Sequence, residues 1–95
     1  MEVYFKKEWG FIHYEITAKD RKTLFFKKEV YREKNNDLLE LTDFINIDIN
    51  IKPCKSRKIA QWKFNHLCSL YTDEITEYLK IEDSNRVVDL IQQHL

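Results

Sequence analysis

Residues 45–71 of this chain, INIDINIKPCKSRKIAQWKFNHLCSLY, contain a change from the periodicity of a strand to that of a helix. Isoleucine occupies every second position from Ile45 to Ile51, which is typical of a strand with one buried face. After Ser56 the apolar residues recur every three or four positions, which is typical of a helix with one buried stripe. We therefore predict a sheet before this stretch and helices after it.

The residues before this stretch predict an antiparallel meander of three or four strands within residues 1–51. Ile12, Tyr14 and Ile16 alternate with Phe11, His13 and Glu15, as in a strand with one buried face. A shorter strand is expected to begin near Val3, and the aromatic and β-branched residues of 23–31 predict another. The polar or glycine-containing stretches 7–10, 18–22 and 35–37 are predicted to be the turns.

Residues 38–44 fit two structures. A short helix could begin there, with Asn36 or Asp37 as its N-cap. The odd-numbered positions of Leu39 and Leu41 instead continue the alternation of Ile45–Ile51. This continuity slightly favours a strand over the helix.

The residues after 55 predict two or three helices packed on the sheet. Ser56 is expected to cap the first, Thr72 a second, and Asp83 or Ser84 the last. The buried stripe of the first helix is expected at Ala60, Phe64, Leu67, Cys68 and Tyr71, widened by Ile59, Trp62 and Leu70. The expected class is α+β, a single domain over residues 1–95, with 1–51 mainly strands and 56–95 mainly helices.

Length and composition exclude several classes of protein. A chain of 95 residues with 43% hydrophobic residues can bury a core without metal or disulfide. Its single glycine excludes the glycine-rich loops that hold nucleotide phosphates. Cys54 and Cys68 do not have metal-ligand spacing, so no metal or cofactor is expected. Without an apolar run of signal or membrane-span length, a cytoplasmic protein is expected, and the residue usage suggests a low-GC bacterium or its phage.

Charge is unevenly distributed along the chain, although 16 basic residues balance 16 acidic ones. Residues 49–72 contain basic side chains and no acidic one, whereas residues 73–95 are mainly acidic. One explanation is a solvated loop that Asp73, Glu74 and Glu77 partly neutralise by folding back. The other is a surface that binds an anionic partner. The predicted partner-binding residues are the basic ones and four aromatic candidates for exposure: Lys52, Lys55, Arg57, Lys58, Lys63, Trp62, Trp9, Phe25 and Tyr31.

A second hypothesis comes from residues 72–91, which have the rhythm of a capped helix, an apolar turn and another capped helix. This pattern resembles the helical part of winged-helix domains. The resemblance implies a DNA-binding transcriptional regulator in which Asn85 and Arg86 contact bases. Glu82, Asp83 and Asp89 depart from that pattern, because their charges would repel phosphate.

A third hypothesis is a small metal-independent ribonuclease. His13 and Glu15 share a strand face with Phe11, and Lys27, Glu29 and Tyr31 share a face of the expected neighbouring strand. Such groups could provide acid–base chemistry and stabilise phosphate. The same residue types are also typical of the solvated outer face of a sheet, where they form cross-strand ion pairs.

The preferred expectation is a non-enzymatic protein that occupies the surface of a macromolecular partner. Inhibitors, immunity proteins and phage anti-defence proteins, for example of anti-CRISPR-like type, belong to this class. A protein partner is expected first and nucleic acid second. We expect no catalytic residue, no membrane contact, and a monomer or weak dimer.

Overall fold

The computed structural model describes residues 1–35 and 37–95, which form four strands followed by two helices. The predicted α+β class is confirmed, with the sheet before the helices. The elements are β1 (Glu2–Lys7), β2 (Gly10–Ala18), β3 (Thr23–Asn35), β4 (Leu38–Asn50), α1 (Arg57–Lys80) and α2 (Ser84–His94).

The sheet is an antiparallel meander in the order β1-β2-β3-β4. The strand predicted over residues 38–44 is confirmed as the first half of β4. The register between β3 and β4 shifts after Val30, where Thr42 is the extra residue of β4 and its hydroxyl donates to the Val30 carbonyl at 3.2 Å. Asp37 lies in the turn before β4, and Asn36, predicted as a cap or turn residue, lies outside the described residues.

Gly10 begins β2 at a point where two strands come unusually close. A Cβ atom built at this position would lie 2.1 Å from the backbone oxygen of Tyr31 on β3. Its φ of 159° is also outside the usual range of residues with a side chain. The only glycine of the chain is therefore required for contact between β2 and β3.

The core lies between one face of the sheet and the two helices. The predicted alternation in β2 is confirmed, because Ile12, Tyr14 and Ile16 all point into this core. Burial of each such side chain stabilises the fold by roughly 1.5–3 kcal/mol. The most deeply buried partners from the other elements are Leu24, Phe26, Ile49, Phe64, Ile75, Leu79, Val87 and Ile91.

The first helix begins as predicted, but Thr72 does not have the predicted role. Ser56 caps it as predicted, since its hydroxyl accepts from the Ile59 amide at 3.2 Å. The predicted break near Thr72 is present as a kink at Tyr71, whose φ of −124° and ψ of 24° are not helical, so α1 consists of two helical segments that meet there. The Thr72 hydroxyl donates to the Cys68 carbonyl one turn earlier, so it is not available as a cap.

The buried stripe of α1 is also narrower than predicted. Ala60, Phe64 and Leu67 are buried. The positions that were expected to widen this stripe, Ile59, Trp62 and Leu70, are exposed instead. The reason is that α1 packs against β2 of the sheet and against α2, so the rest of its surface is left to solvent.

A sharp turn joins α1 to α2 and is tied to the sheet. Asp83 caps α2 by accepting from the Arg86 amide at 3.2 Å. Glu82 has a φ of 58°, and its carboxylate forms ion pairs with Lys7 on β1 and Lys28 on β3. α2 then runs back along α1 and ends where Leu95 accepts from the Lys52 amide at 3.3 Å.

The helices cover only one part of the sheet, so the molecule is elongated, with extents of 47 × 23 × 19 Å. Residues 38–46 of β4 are all exposed and lie beyond the part of the sheet that the helices cover. None of the helices in the described part of the chain is long and apolar enough to cross a membrane.

Candidate functional site

The β2–β3 turn and the segment that follows β4 meet at one end of the sheet. The Ile51 amide donates to the Lys22 carbonyl at 3.0 Å, and the Cys54 amide donates to the Arg21 carbonyl at 2.8 Å. These hydrogen bonds add two basic residues from the turn to the predicted basic segment. The sequence did not indicate Arg21 and Lys22 as part of this site. Acidic Asp20 lies beside them, and about thirty residues separate them from the basic segment that they contact.

We call this region the basic end and define it by the exposed side chains of Arg21, Lys22, Lys52, Lys55, Arg57, Lys58 and Lys63. None of them forms an ion pair with a carboxylate of residues 1–35 or 37–95. The two guanidinium groups donate only to carbonyls, Arg21 to Cys54 at 3.4 Å and Arg57 to Ala18 at 3.5 Å. These basic side chains are therefore exposed without a direct ion-pair partner among the described residues.

The expected neutralisation by Asp73, Glu74 and Glu77 is not observed in the described part of the chain. These three residues follow the kink at Tyr71 and form no ion pair there. Asp20 is the acidic residue nearest along the chain to Arg21, and its carboxylate accepts from the Lys22 amide at 2.9 Å. That hydrogen bond is the main reason why the pKa of Asp20 lies below its ordinary value.

A groove of about 420 Å³ opens beside the basic end, between α1 and the end of α2. We call it the basic groove. It brings together three of the predicted partner-binding residues, Lys52, Trp62 and Lys63, with Leu70 and the end of α2. The Trp62 side chain is 66% exposed and stacks on His66, with their ring centroids 6.0 Å apart.

The remaining predicted aromatic residues do not join this groove. Trp9 lies at the turn between β1 and β2, beside a separate cavity that Arg32 and Thr42 also line. Phe25 and Tyr31 are half-buried on the face of the sheet opposite the helices, where Tyr31 stacks on Phe11 at 4.7 Å. The predicted partner-binding set thus divides between different surfaces.

The residues of the ribonuclease hypothesis are neighbours on this open face of the sheet. His13 stands opposite Glu29, and Glu15 stands opposite Lys27. The His13 ring is buried, with Nδ1 lying 3.2 Å from Glu29 Oε1 and Nε2 lying 3.1 Å from Glu2 Oε1. Both ring nitrogens are thus occupied by protein carboxylates.

Hydrogen bonds and charge stabilise the carboxylates of this cluster. Burial raises the pKa of Glu29, but hydrogen bonds from His13 and Tyr31 and the charge of Lys27 hold it below its ordinary value. Glu2, His13 and Glu15 place ligand atoms within 4.8 Å of one another, a spacing that could hold a metal ion. Lys27 Nζ lies 3.4 Å from Glu15 Oε2, however, and competes with a cation for that carboxylate.

The residues of the DNA-binding hypothesis lie at the start of α2. Asn85 and Arg86 are exposed there, and α2 buries its opposite side through Val87 and Ile91. The Arg86 guanidinium lies 3.2 Å from Asp83 and 5.7 Å from the centre of the Tyr78 ring. DNA recognition by these residues stays a prediction.

No protein family, curated protein or solved structure matches this chain. The groove, the basic end and the open face of the sheet are therefore the observations on which a function can be argued.

Proposed function

We propose that this protein is a non-enzymatic binding protein that occupies an acidic surface of a macromolecular partner with its basic groove. The observation that carries the proposal is that two lysines without an ion-pair partner in the described residues, Lys52 and Lys63, line a concave surface beside the exposed Trp62. Such a combination provides both steering and anchoring. Positive potential accelerates the encounter with an acidic surface, and a large aromatic side chain supplies buried area once contact is made.

Trp62 is the expected anchor of this interface. Tryptophan is enriched among the residues that dominate binding energy, and it carries most weight where surrounding contacts exclude water. Stacking on His66 limits the mobility of the indole before binding, so less side-chain entropy is lost in the complex. Leu70 and the aliphatic part of Lys63 extend the apolar area of the groove.

A protein partner is favoured over nucleic acid by the shape and charge of the surface. The groove is concave and partly apolar, which suits a protruding side chain or loop of a folded protein. Nucleic acid binding usually depends on many phosphate contacts, and this chain has zero formal net charge. We place the protein among small inhibitors, immunity proteins or anti-defence proteins that act in the cytoplasm, where its free Cys54 and Cys68 would stay reduced.

The test compares two fluorescent probes by anisotropy at about 50 mM salt: an acidic peptide of alternating Glu and Tyr, and a random duplex DNA. We expect the peptide to bind more tightly, and the double variant Lys52→Glu with Lys63→Glu to weaken it at least about tenfold. The double variant Lys6→Glu with Lys34→Glu has the same net charge but changes exposed lysines away from the groove. This matched control is expected to bind nearly as well as the wild type.

The anchor is tested separately with Trp62→Ala and the control Trp9→Ala. Loss of a hot-spot tryptophan is expected to weaken peptide binding by about 2 kcal/mol, or about thirtyfold, whereas the control leaves it unchanged. Equal losses in both charge variants, or no peptide binding by folded protein at this salt concentration, would overturn the proposal. Tighter binding to DNA than to the peptide would overturn the choice of a protein partner.

A further inference from the structure

A second surface, independent of the basic groove, lies on the outer half of β4. Residues 38–46 are exposed without interruption, and the set includes five large apolar side chains, Leu38, Leu39, Leu41, Phe44 and Ile45. Phe44 is 61% exposed and Leu38 is 63% exposed. Five exposed large apolar side chains within eight consecutive residues are unusual on a monomeric surface and mark an interaction site.

β4 is also an edge strand, so one row of its backbone N–H and C=O groups has no neighbouring strand. Sheet edges are usually protected from pairing by shortness, lysine or proline. The opposite edge, β1, has such protection, because it is only six residues long and includes Lys6 and Lys7. β4 is 13 residues long and contains neither lysine nor proline, and its pairing with β3 is irregular at Thr42 and again between Leu38 and Leu39.

The two faces of this edge differ in chemistry. The register with β3 places Leu39, Leu41 and Phe44 on the open face of the sheet, opposite Glu33, Tyr31 and Glu29. Glu40 and Asp43 lie on the other face, opposite Arg32 and Val30. Neither carboxylate forms an ion pair within the described residues, whereas Asp48 further along the strand is paired with Lys19 at 3.2 Å.

We propose that the outer half of β4 binds an extended segment of another protein in which apolar and basic residues alternate. The segment would add to the sheet as a fifth strand, with backbone hydrogen bonds to the free edge. Alternation places all its apolar side chains on one face, beside Leu41 and Phe44. It places all its basic side chains on the other face, beside Glu40 and Asp43.

Charge argues against a second copy of this chain as the occupant. β4 contains three acidic residues and no basic residue. Two paired β4 edges would contribute acidic residues and no basic residue to the new strand pair, and like charges across a strand pair are destabilising. A basic segment instead neutralises Glu40 and Asp43, so charge complementarity selects it.

The test uses the full chain and a fluorescein-labelled peptide of alternating Lys and Val or Ile, eight residues long, with a Glu-for-Lys peptide as the control. We expect a saturable rise in anisotropy with the Lys peptide and none with the Glu peptide. The double variant Glu40→Lys with Asp43→Lys is expected to weaken binding at least about tenfold. The control Asp73→Lys with Glu77→Lys has the same net charge, changes exposed acids on α1, and is expected to bind like the wild type.

The role of the backbone is tested with a Lys peptide that carries N-methyl groups on alternate amides, because methylation removes the donors needed for strand pairing. We expect this peptide not to bind. Equal binding of the methylated peptide, or equal losses in both double variants, would overturn the proposal. Sedimentation of the protein alone supplies a further test, since a dimer that Phe44→Glu dissociates would identify a second copy as the occupant and also overturn it.

The two proposals fail separately. The groove variant Lys52→Glu with Lys63→Glu is expected to bind the Lys peptide normally, and the β4 variant is expected to bind the acidic peptide normally. Circular dichroism and thermal unfolding of each variant show whether its fold is retained.

Discussion

The Nζ atom of Lys28 lies 3.3 Å from Oε2 of Glu82, so the middle of β3 is tied to the turn between the two helices. The Lys28 side chain is only 11% exposed, and no other carboxylate of the described residues forms an ion pair with it. Lys7 approaches the other oxygen of Glu82 at 3.2 Å. The position of the helical hairpin on the sheet therefore depends on a charged contact as well as on apolar packing.

Replacement of Glu82 by Gln is expected to lower the free energy of unfolding by about 1–2 kcal/mol near pH 7. The more exposed ion pair, between Lys7 and Glu82, contributes little to stability. The larger effect is expected because the buried Lys28 ammonium would lose its carboxylate partner. Urea unfolding measures the effect, with Asp89→Asn as a control at an exposed acid. A loss no larger than that of the control would contradict this role for Glu82.

The same contact predicts a pH dependence. The hydrogen bond from Lys7 holds the pKa of Glu82 below its ordinary value, against the opposing effect of burial, and the charge of Lys28 adds to this lowering. A lowered pKa in the folded state gives stability that is complete above the unfolded pKa and lost as pH falls through the folded pKa. We therefore expect the difference between wild type and Glu82→Gln to shrink between about pH 5 and pH 3. If this difference in the free energy of unfolding is as large at about pH 3 as it is near pH 7, the pH prediction is contradicted.

Gly10→Ala is expected to destabilise the protein by at least about 2 kcal/mol, because the added methyl group would meet the Tyr31 backbone. The strand backbone cannot move aside without breaking the pairing of β2 with β3. Chemical denaturation measures the loss. Ala18→Gly, the reverse substitution in the same strand, is the comparison. A smaller loss of stability for Gly10→Ala than for Ala18→Gly would show that β2 and β3 can move apart easily at Gly10.

Tyr14→Phe is expected to leave stability unchanged or to raise it by about 1 kcal/mol. The Tyr14 hydroxyl is buried and has no hydrogen-bond partner in the described residues, and burial raises the pKa of Tyr14 to about 12. Removing the oxygen removes an unsatisfied polar atom while the ring keeps its contacts with Phe5 and Phe26. The urea midpoint of the variant checks this, and a clear loss of stability would mean that the hydroxyl has a stabilising partner.

Total RNA incubated with the folded protein is expected to remain intact. Both nitrogens of His13 are occupied by Glu2 and Glu29, so the ring has no free position to take a proton from a substrate. Gel electrophoresis of the RNA measures the outcome. Cleavage that disappears in His13→Asn would instead assign a catalytic role to this residue.

The fold could be predicted largely because its periodicities are local. The alternation of Ile12, Tyr14 and Ile16 and the change of period after Ser56 each need only neighbouring residues, and both predictions are confirmed. The break predicted near Thr72 is present as the kink at Tyr71, but the capping role of Thr72 was wrong, since a threonine at a helix start and one bonded to its own preceding turn look alike in sequence. The structure distinguishes them by the partner of the hydroxyl.

The candidate site was harder to predict because it depends on contacts between distant segments. The basic residues after Ile51 were visible as a run, but Arg21 and Lys22 join them only through the hydrogen bonds of Ile51 and Cys54. The sequence allowed two positions for Trp62, at the edge of the buried stripe or on the exposed surface, since its helical spacing suits either, and it is exposed. Whether it faces the core is decided by how much of α1 meets the sheet.

The length of β3 has a consequence for how many molecules this small protein can contact. The turn before β3 lies at the basic end and the turn after it lies at the far tip of β4, so 13 residues of extended chain separate them by about 40 Å. That distance is larger than the radius of most small domains, so a molecule held at one extremity leaves the other accessible. Occupancy of one extremity is therefore sterically independent of occupancy of the other.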